Sequence, residues 1–182
     1  RPPGQGSYTY PPAANLSTSL PDTTAPTLSG VSIASNNTTN TLAKSNDDVA
    51  LTFTASEALG TPVVTFQSGG SAINDGSIVY SNTSGNTWTA VYTANANDAN
   101  GLITYSIAFS DTAGNAGTPV TSGSGSVITD TSIPTLSSVF ISSNNANRSM
   151  AIPIDVVTLS FTASETIQSP TVTASSGGAA VN

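Results

Sequence analysis

The chain has no cysteine and no histidine among its 182 residues. Without cysteine there is no disulfide to staple a small fold and no thiolate nucleophile. Without histidine, the commonest general base and a principal zinc ligand are also missing. Cations are nearly absent: Arg1, Lys44 and Arg148 face ten acidic residues, for a net charge of −7. Such a chain cannot neutralise a row of phosphates and is repelled by anionic membranes, which argues against both as partners. Charged residues of either sign make up only 7%, so solubility rests on Ser, Thr, Asn and Gly. No apolar run approaches the ~18 residues of a spanning helix, and no secretory signal is recognisable. The opening Arg1-Pro2-Pro3 is compatible with a removed signal or with an arbitrary cut. Helical periodicity of useful length is lacking throughout.

What the chain does have is a repeat. DTTAPTLSGVSIASNN from Asp22 returns as DTSIPTLSSVFISSNN from Asp130, an offset of 108 residues that holds without a gap to Asn182. TFTASE at 52–57 recurs as SFTASE at 160–165, Pro62 as Pro170, and Ser68-Gly69-Gly70 as Ser176-Gly177-Gly178. About half of the overlapping positions are identical, far more than composition alone would give. A period near 108 is too long for helical or leucine-rich solenoids and is the size of a domain that buries its own core. Three segments follow: a Pro/Gly/Ser-rich leader or linker over 1–21, a complete domain over 22–129, and the first half of a second copy over 130–182.

Within the complete copy, apolar residues alternate with polar ones. Val49, Leu51, Phe53 and Ala55 form one such set, and Trp88, Ala90 and Tyr92 a second; Ile103, Tyr105, Ile107 and Phe109 form a third. Period two means a strand with one buried face. The turn clusters SNNTTN, SGGSAINDG, SNTSGN, NANDANG and DTAGNAG separate the runs. Strands are expected at 28–34, 49–55, 62–67, near 77–81, and at 86–94, 102–110 and 119–129. Seven short strands in about 108 residues fit an all-β Greek-key β-sandwich. Trp88, Phe53, Phe66, Tyr92, Tyr105 and Phe109 are its expected large core residues.

DTTAP at the start, TFTASE before the third strand, then W-x-A-x-Y-T, D-x-x-G, and SDTAGN before the last strand together resemble the bacterial immunoglobulin-like repeats of large surface adhesins. The resemblance covers Asp22 to Asn182. It implies an immunoglobulin-like sandwich, secretion to the cell surface or medium, and tandem arrangement in a longer protein. It also implies a stalk or extender role, with calcium at domain junctions. It names no adhesive target, and the fold alone does not fix function.

The alternating course of the strands places the acids. Asp22 in the entry segment, Glu57 after the second strand, and Asp111 and Asn115 before the last strand should meet at one end. Carboxylate and amide oxygens in a cluster are what Ca²⁺ requires. Asp98 lies at the opposite end, where Asp130 and Glu165 of the next copy could share a second ion with it and stiffen the hinge. Asp47, Asp48 and Asp155 belong to that end too. The competing explanation is that Asp and Asn merely cap their own turns. On the calcium reading, Asp111→Ala lowers stability only when the ion is present.

Catalysis finds little support. Paired carboxylates could in principle do glycoside chemistry, but they lie in turn-rich loops at domain ends with nothing to indicate a cleft. There is no G-x-S-x-G elbow, phosphate-binding loop or dinucleotide fingerprint. The leading expectation is a non-catalytic extracellular stalk segment whose partners are neighbouring repeats and an unknown surface ligand. A second is a filament, sheath or surface-layer subunit, in which strand addition from an identical chain completes the half-copy. A third is a glycan-binding module using Tyr8, Tyr10 or Tyr80 as a sugar platform. Asn15, Asn36, Asn37, Asn82 and Asn147 head N-glycosylation patterns, several of which this composition produces by chance.

Overall fold

The computed structural model describes residues 20–74 and 76–180, and these contain strands, turns and loops without any helix. The chain divides into two compact units, Arg1–Thr129 and Asp130–Asn182. The cut falls where the second copy of the repeat begins. Leader residues 1–19, with Tyr8 and Tyr10, lie outside the described residues.

The first unit is two sheets closed over one core. One sheet has the order β1 (Leu28–Ser35), β3 (Asp48–Ala55), β7 (Thr87–Thr93) and β6 (Val79–Ser84), antiparallel throughout. The other has the order β2 (Leu42–Ala43), β9 (Ile128–Thr129), β8 (Gly101–Ala108), β4 (Val63–Ser68) and β5 (Ser71–Ala72). Its β2–β9 pair is parallel and its other pairs are antiparallel. Alternation sets the faces. Val49, Leu51, Phe53 and Ala55 of β3 and Trp88, Ala90 and Tyr92 of β7 point inward, against Val64 and Phe66 of β4 and Ile103 and Ile107 of β8. The Phe66 and Tyr92 rings meet across the sandwich at 4.8 Å and 45°. Outward hydroxyls pair across strands, Thr52 with Thr89 and Thr54 with Thr87. Tyr105 is half-buried against the core rather than part of its centre.

The last expected strand, over 119–129, is interrupted. Val120 exchanges two backbone hydrogen bonds with Ile107, and Ser124 two with Val31 and Ile33 of β1 in the other sheet. The Ile103 N–H then donates to Val127 before β9 pairs with β2 and β8. The segment laces both sheets together. It can do so because Gly123 and Gly125 lie directly on the carbonyls of Val31 and Ile33, where a Cβ would collide, and Gly125 has φ +76°.

The second unit pairs β10 (Leu136–Ser143) with β11 (Val157–Ala163), and a small hairpin joins β12 (Ser175–Ser176) to β13 (Ala179–Ala180). Register in β10–β11 repeats β1–β3 residue for residue at the offset of 108. Leu28 faces Ala55 as Leu136 faces Ala163, and Ser35 faces Val49 as Ser143 faces Val157. Each hairpin carries a bulge after its second residue, where Gly30 (φ 59°) and Ser138 (φ 50°) take the left-handed conformation. The loop between the strands is copied too. Asn37 Nδ2 donates to Asp47 at 2.6 Å, and Asn145 Nδ2 to Asp155 at 2.9 Å.

Candidate metal centre

Three separate segments bring carboxylates together at one end of the first unit. Asp22 belongs to the entry segment, whose position is fixed by Ser56: the Thr27 N–H donates to its Oγ at 3.0 Å, and the Ser56 N–H donates to the Thr27 carbonyl. Glu57 is the next residue. A bridge between Leu59 and Asp111, with the Gly60 N–H donating to the Ser110 carbonyl at 3.0 Å, ties this loop to the one that carries Asp111. One carboxylate oxygen from each of Asp22, Glu57 and Asp111 lies within 4.8 Å of the others. These oxygens could hold a metal ion.

The three acids differ in environment. Asp22 is exposed and Glu57 half-buried, while Asp111 is only 4% exposed. Asp111 Oδ1 accepts the N–H groups of Gly114 at 2.6 Å and Asn115 at 2.8 Å, and its Oδ2 accepts Asn115 Nδ2 at 2.7 Å. The side-chain bond from Asn115, reinforced by the backbone donors against the cost of burial, holds this carboxyl below the usual range. Glu57 is pushed the other way. Partial burial raises it, and the charges of Asp22 and Asp111 add to the effect, as does a shared hydrogen bond with Asp22. A cation would relieve that concentration of negative charge.

Of the residues expected at this end, Asp22, Glu57, Asp111 and Asn115 do meet. Asn115 Nδ2 donates to Asp111 Oδ2 and, at 3.1 Å, to the Asp22 carbonyl. It positions two candidate ligands. Ser56 was not singled out in the sequence, although its return as Ser164, bonded to Thr135 N in the same way, was an available signal.

Asp98 lies away from this cluster and is buried. Its oxygens accept the N–H groups of Asn74 at 2.7 Å and Asn95 at 2.9 Å, so it organises the loops at the other end. Asp47 is likewise committed, to Lys44 and Asn37. Asp48 accepts Thr93 Oγ1 and Asn36 Nδ2. In the second unit, Asp130 caps its own turn by accepting the Ser132 N–H, as Asp22 accepts that of Thr24. Glu165 is half-buried. The sequence does not extend to a counterpart of Asp111. Tyr80, expected as an exposed platform, is half-buried against the core, and its hydroxyl accepts the Val64 N–H from the opposite sheet at 2.8 Å. It is a cross-sheet tie.

Compared with known proteins, the chain matches no family model, no curated protein and no solved structure.

Proposed function

We propose that the chain is a non-catalytic, extracellular stalk segment of a repetitive surface protein of the adhesin type, built from immunoglobulin-like Greek-key modules and stiffened by calcium. The observation that carries this reading is the meeting of Asp22, Glu57 and Asp111, which come from three distant segments but lie within 4.8 Å of one another. The donors are all hard oxygens, the type Ca²⁺ takes six to eight of, including carbonyls and water. The raised Glu57 and the partly free Asp22 fit a site completed by a cation. The sheet orders β1-β3-β7-β6 and β2-β9-β8-β4-β5 support a Greek-key sandwich. The recurrence of the same hairpin 108 residues later supports a serial arrangement of modules. The mechanism is mechanical: each module adds reach, and an ion clamping the entry segment to two loops restricts its bending.

Calorimetric titration of calcium into the full chain tests the ion, and sedimentation at high concentration tests the stalk. The reading expects saturable binding with a dissociation constant of about 10⁻⁴–10⁻³ M, as in extracellular calcium modules, and a particle that does not polymerise. Absence of binding removes the stiffening role, and ordered fibres would replace the stalk with a filament-forming subunit.

A further inference from the structure

Each sheet of the first unit has two edges, and an unguarded edge strand is a template for another strand. Three of the four edges are guarded. β2 and β5 are two residues long. Beyond β5, the outer side of β4 is blunted at Val64, whose N–H donates to the Tyr80 hydroxyl. β1 is closed by its two backbone bonds with Ser124. The exception is β6, which belongs to the finished sandwich. It runs for six residues, VYSNTS, with no Pro and no charge. Among the described residues it pairs with β7 alone and makes no backbone hydrogen bond elsewhere. Its bulge falls between Asn82 and Ser84, which leaves the stretch from Val79 to Asn82 regular. Val79 is 66% exposed.

We propose that β6 is a docking edge for β6 of a second copy of this chain, the two strands antiparallel and related by a two-fold axis. Charge singles out the occupant. Residues 76–97, which hold β6 and β7, contain no Asp, Glu, Lys or Arg, in a chain of net charge −7. The first unit's described acids lie at its two ends instead, Asp22, Glu57 and Asp111 at one and Asp47, Asp48 and Asp98 at the other. Copies that repel each other through those ends approach at least cost along β6. A strongly basic partner would find no acid here to pair with. Register is self-complementary as well. Ser32, Thr52, Thr89 and Ser81 form one outward row across β1, β3, β7 and β6. Residues that face each other in a ladder share one side of the sheet. A two-fold axis through Ser81 therefore sets it against Ser81 of the second copy and doubles the row, with hydroxyl pairs that are favourable across strands. Such a pair closes on itself, so association stops at a dimer and builds no fibre. The inference is independent of calcium.

Sedimentation of the full chain over a concentration series, joined to single-cysteine crosslinking, tests this edge. The expected result is a monomer–dimer equilibrium whose dissociation constant rises about tenfold or more in Ser81→Glu, where like charges would face each other. Ser81 is exposed, so the thermal midpoint of that variant should match the wild type and report an intact fold. The chain has no cysteine of its own, so Ser81→Cys places a single thiol at the join. Facing Cβ atoms in a ladder are about 4.5–5.5 Å apart, close to the disulfide range, and mild oxidation should yield a covalent dimer. Thr104→Cys, exposed on the outer side of the other sheet, should stay uncrosslinked. The proposal is overturned if the chain remains monomeric at millimolar concentration, or if Ser81→Glu dimerises as well as the wild type. Equal crosslinking of the two cysteine variants also overturns it, as does a dimer that Leu159→Lys disrupts and Ser81→Glu does not.

Discussion

Glu57 and Asp111 sit in one cluster but respond to pH in opposite senses. Glu57 holds its proton more tightly folded than unfolded, because burial and two neighbouring acids oppose its charge. Its favourable contribution is therefore complete below the ordinary glutamate range and is lost as pH rises through its raised pKa. Asp111, held down mainly by Asn115, stabilises above the ordinary aspartate range, and that contribution is lost as pH falls through its lowered pKa. In chelator at neutral pH, Glu57→Gln should thus raise the melting midpoint, while Asp111→Ala should lower it by removing an acceptor for three hydrogen bonds. The sequence suggests instead that Asp111→Ala acts only through the ion; the bonds to Gly114 and Asn115 make that variant costly in either medium. The meeting of these acids was legible because strand alternation fixes which loops share an end. Their separate hydrogen-bond commitments were not, because Asp in a turn and Asp at a metal have the same sequence signature.

A second residue-scale prediction concerns Tyr92. It is 1% exposed, and burial pushes its hydroxyl up to about 12. Neither this hydroxyl nor that of Thr129, which faces it, makes a hydrogen bond of good geometry. An unfolded tyrosine ionises near 10, so folding stability falls between roughly pH 10 and 12 as the unfolded chain releases its proton first. Tyr92→Phe should change stability by at most about 1 kcal/mol at neutral pH and flatten part of the alkaline loss in a pH series of denaturant melts. Tyr105, also raised by burial, retains the rest.

At the scale of elements, the most regular strands were the most legible: β3 and β7 follow from strict alternation of apolar and polar residues. Residues 119–129 were not, because SGSGS at 122–126 carries no alternation, and one continuous strand was expected there. The glycines instead let the backbone cross from β8 to β1. Gly125→Ala must both displace the Ile33 carbonyl and adopt a positive φ. It should cost at least about 2 kcal/mol in denaturant melts; a neutral result would mean the crossing is loose. The two hairpins provide the complementary case. At the turn where the first copy has Asn46 (φ 71°), the second has Ile154 (φ 79°), which is 99% exposed. A β-branched side chain is poorly suited to that conformation. Ile154→Asn should stabilise the second unit by about 1 kcal/mol, detectable as slower amide exchange across β10–β11.

For the whole molecule, Asp130 is where the second stretch of similar sequence begins and also where the second compact unit begins. Burial depends on what lies opposite, and for the first hairpin residues 62–129 provide it, as the reading of 22–129 as a complete domain expects. The account centres on the end of the first unit, where Asp22, Glu57 and Asp111 link the entry segment to the body of the sandwich. Its most direct test is a pair of thermal melts, of the full chain and of Glu57→Gln, each in millimolar calcium and in chelator. One site at roughly 100 times its dissociation constant adds about 2.7 kcal/mol, and partial occupancy still moves the midpoint. The account predicts that calcium raises the midpoint of the wild-type chain and that most of this rise is absent in Glu57→Gln. An unchanged wild-type midpoint, or an equal rise in both proteins, would contradict it and return the three acids to the role of turn formers.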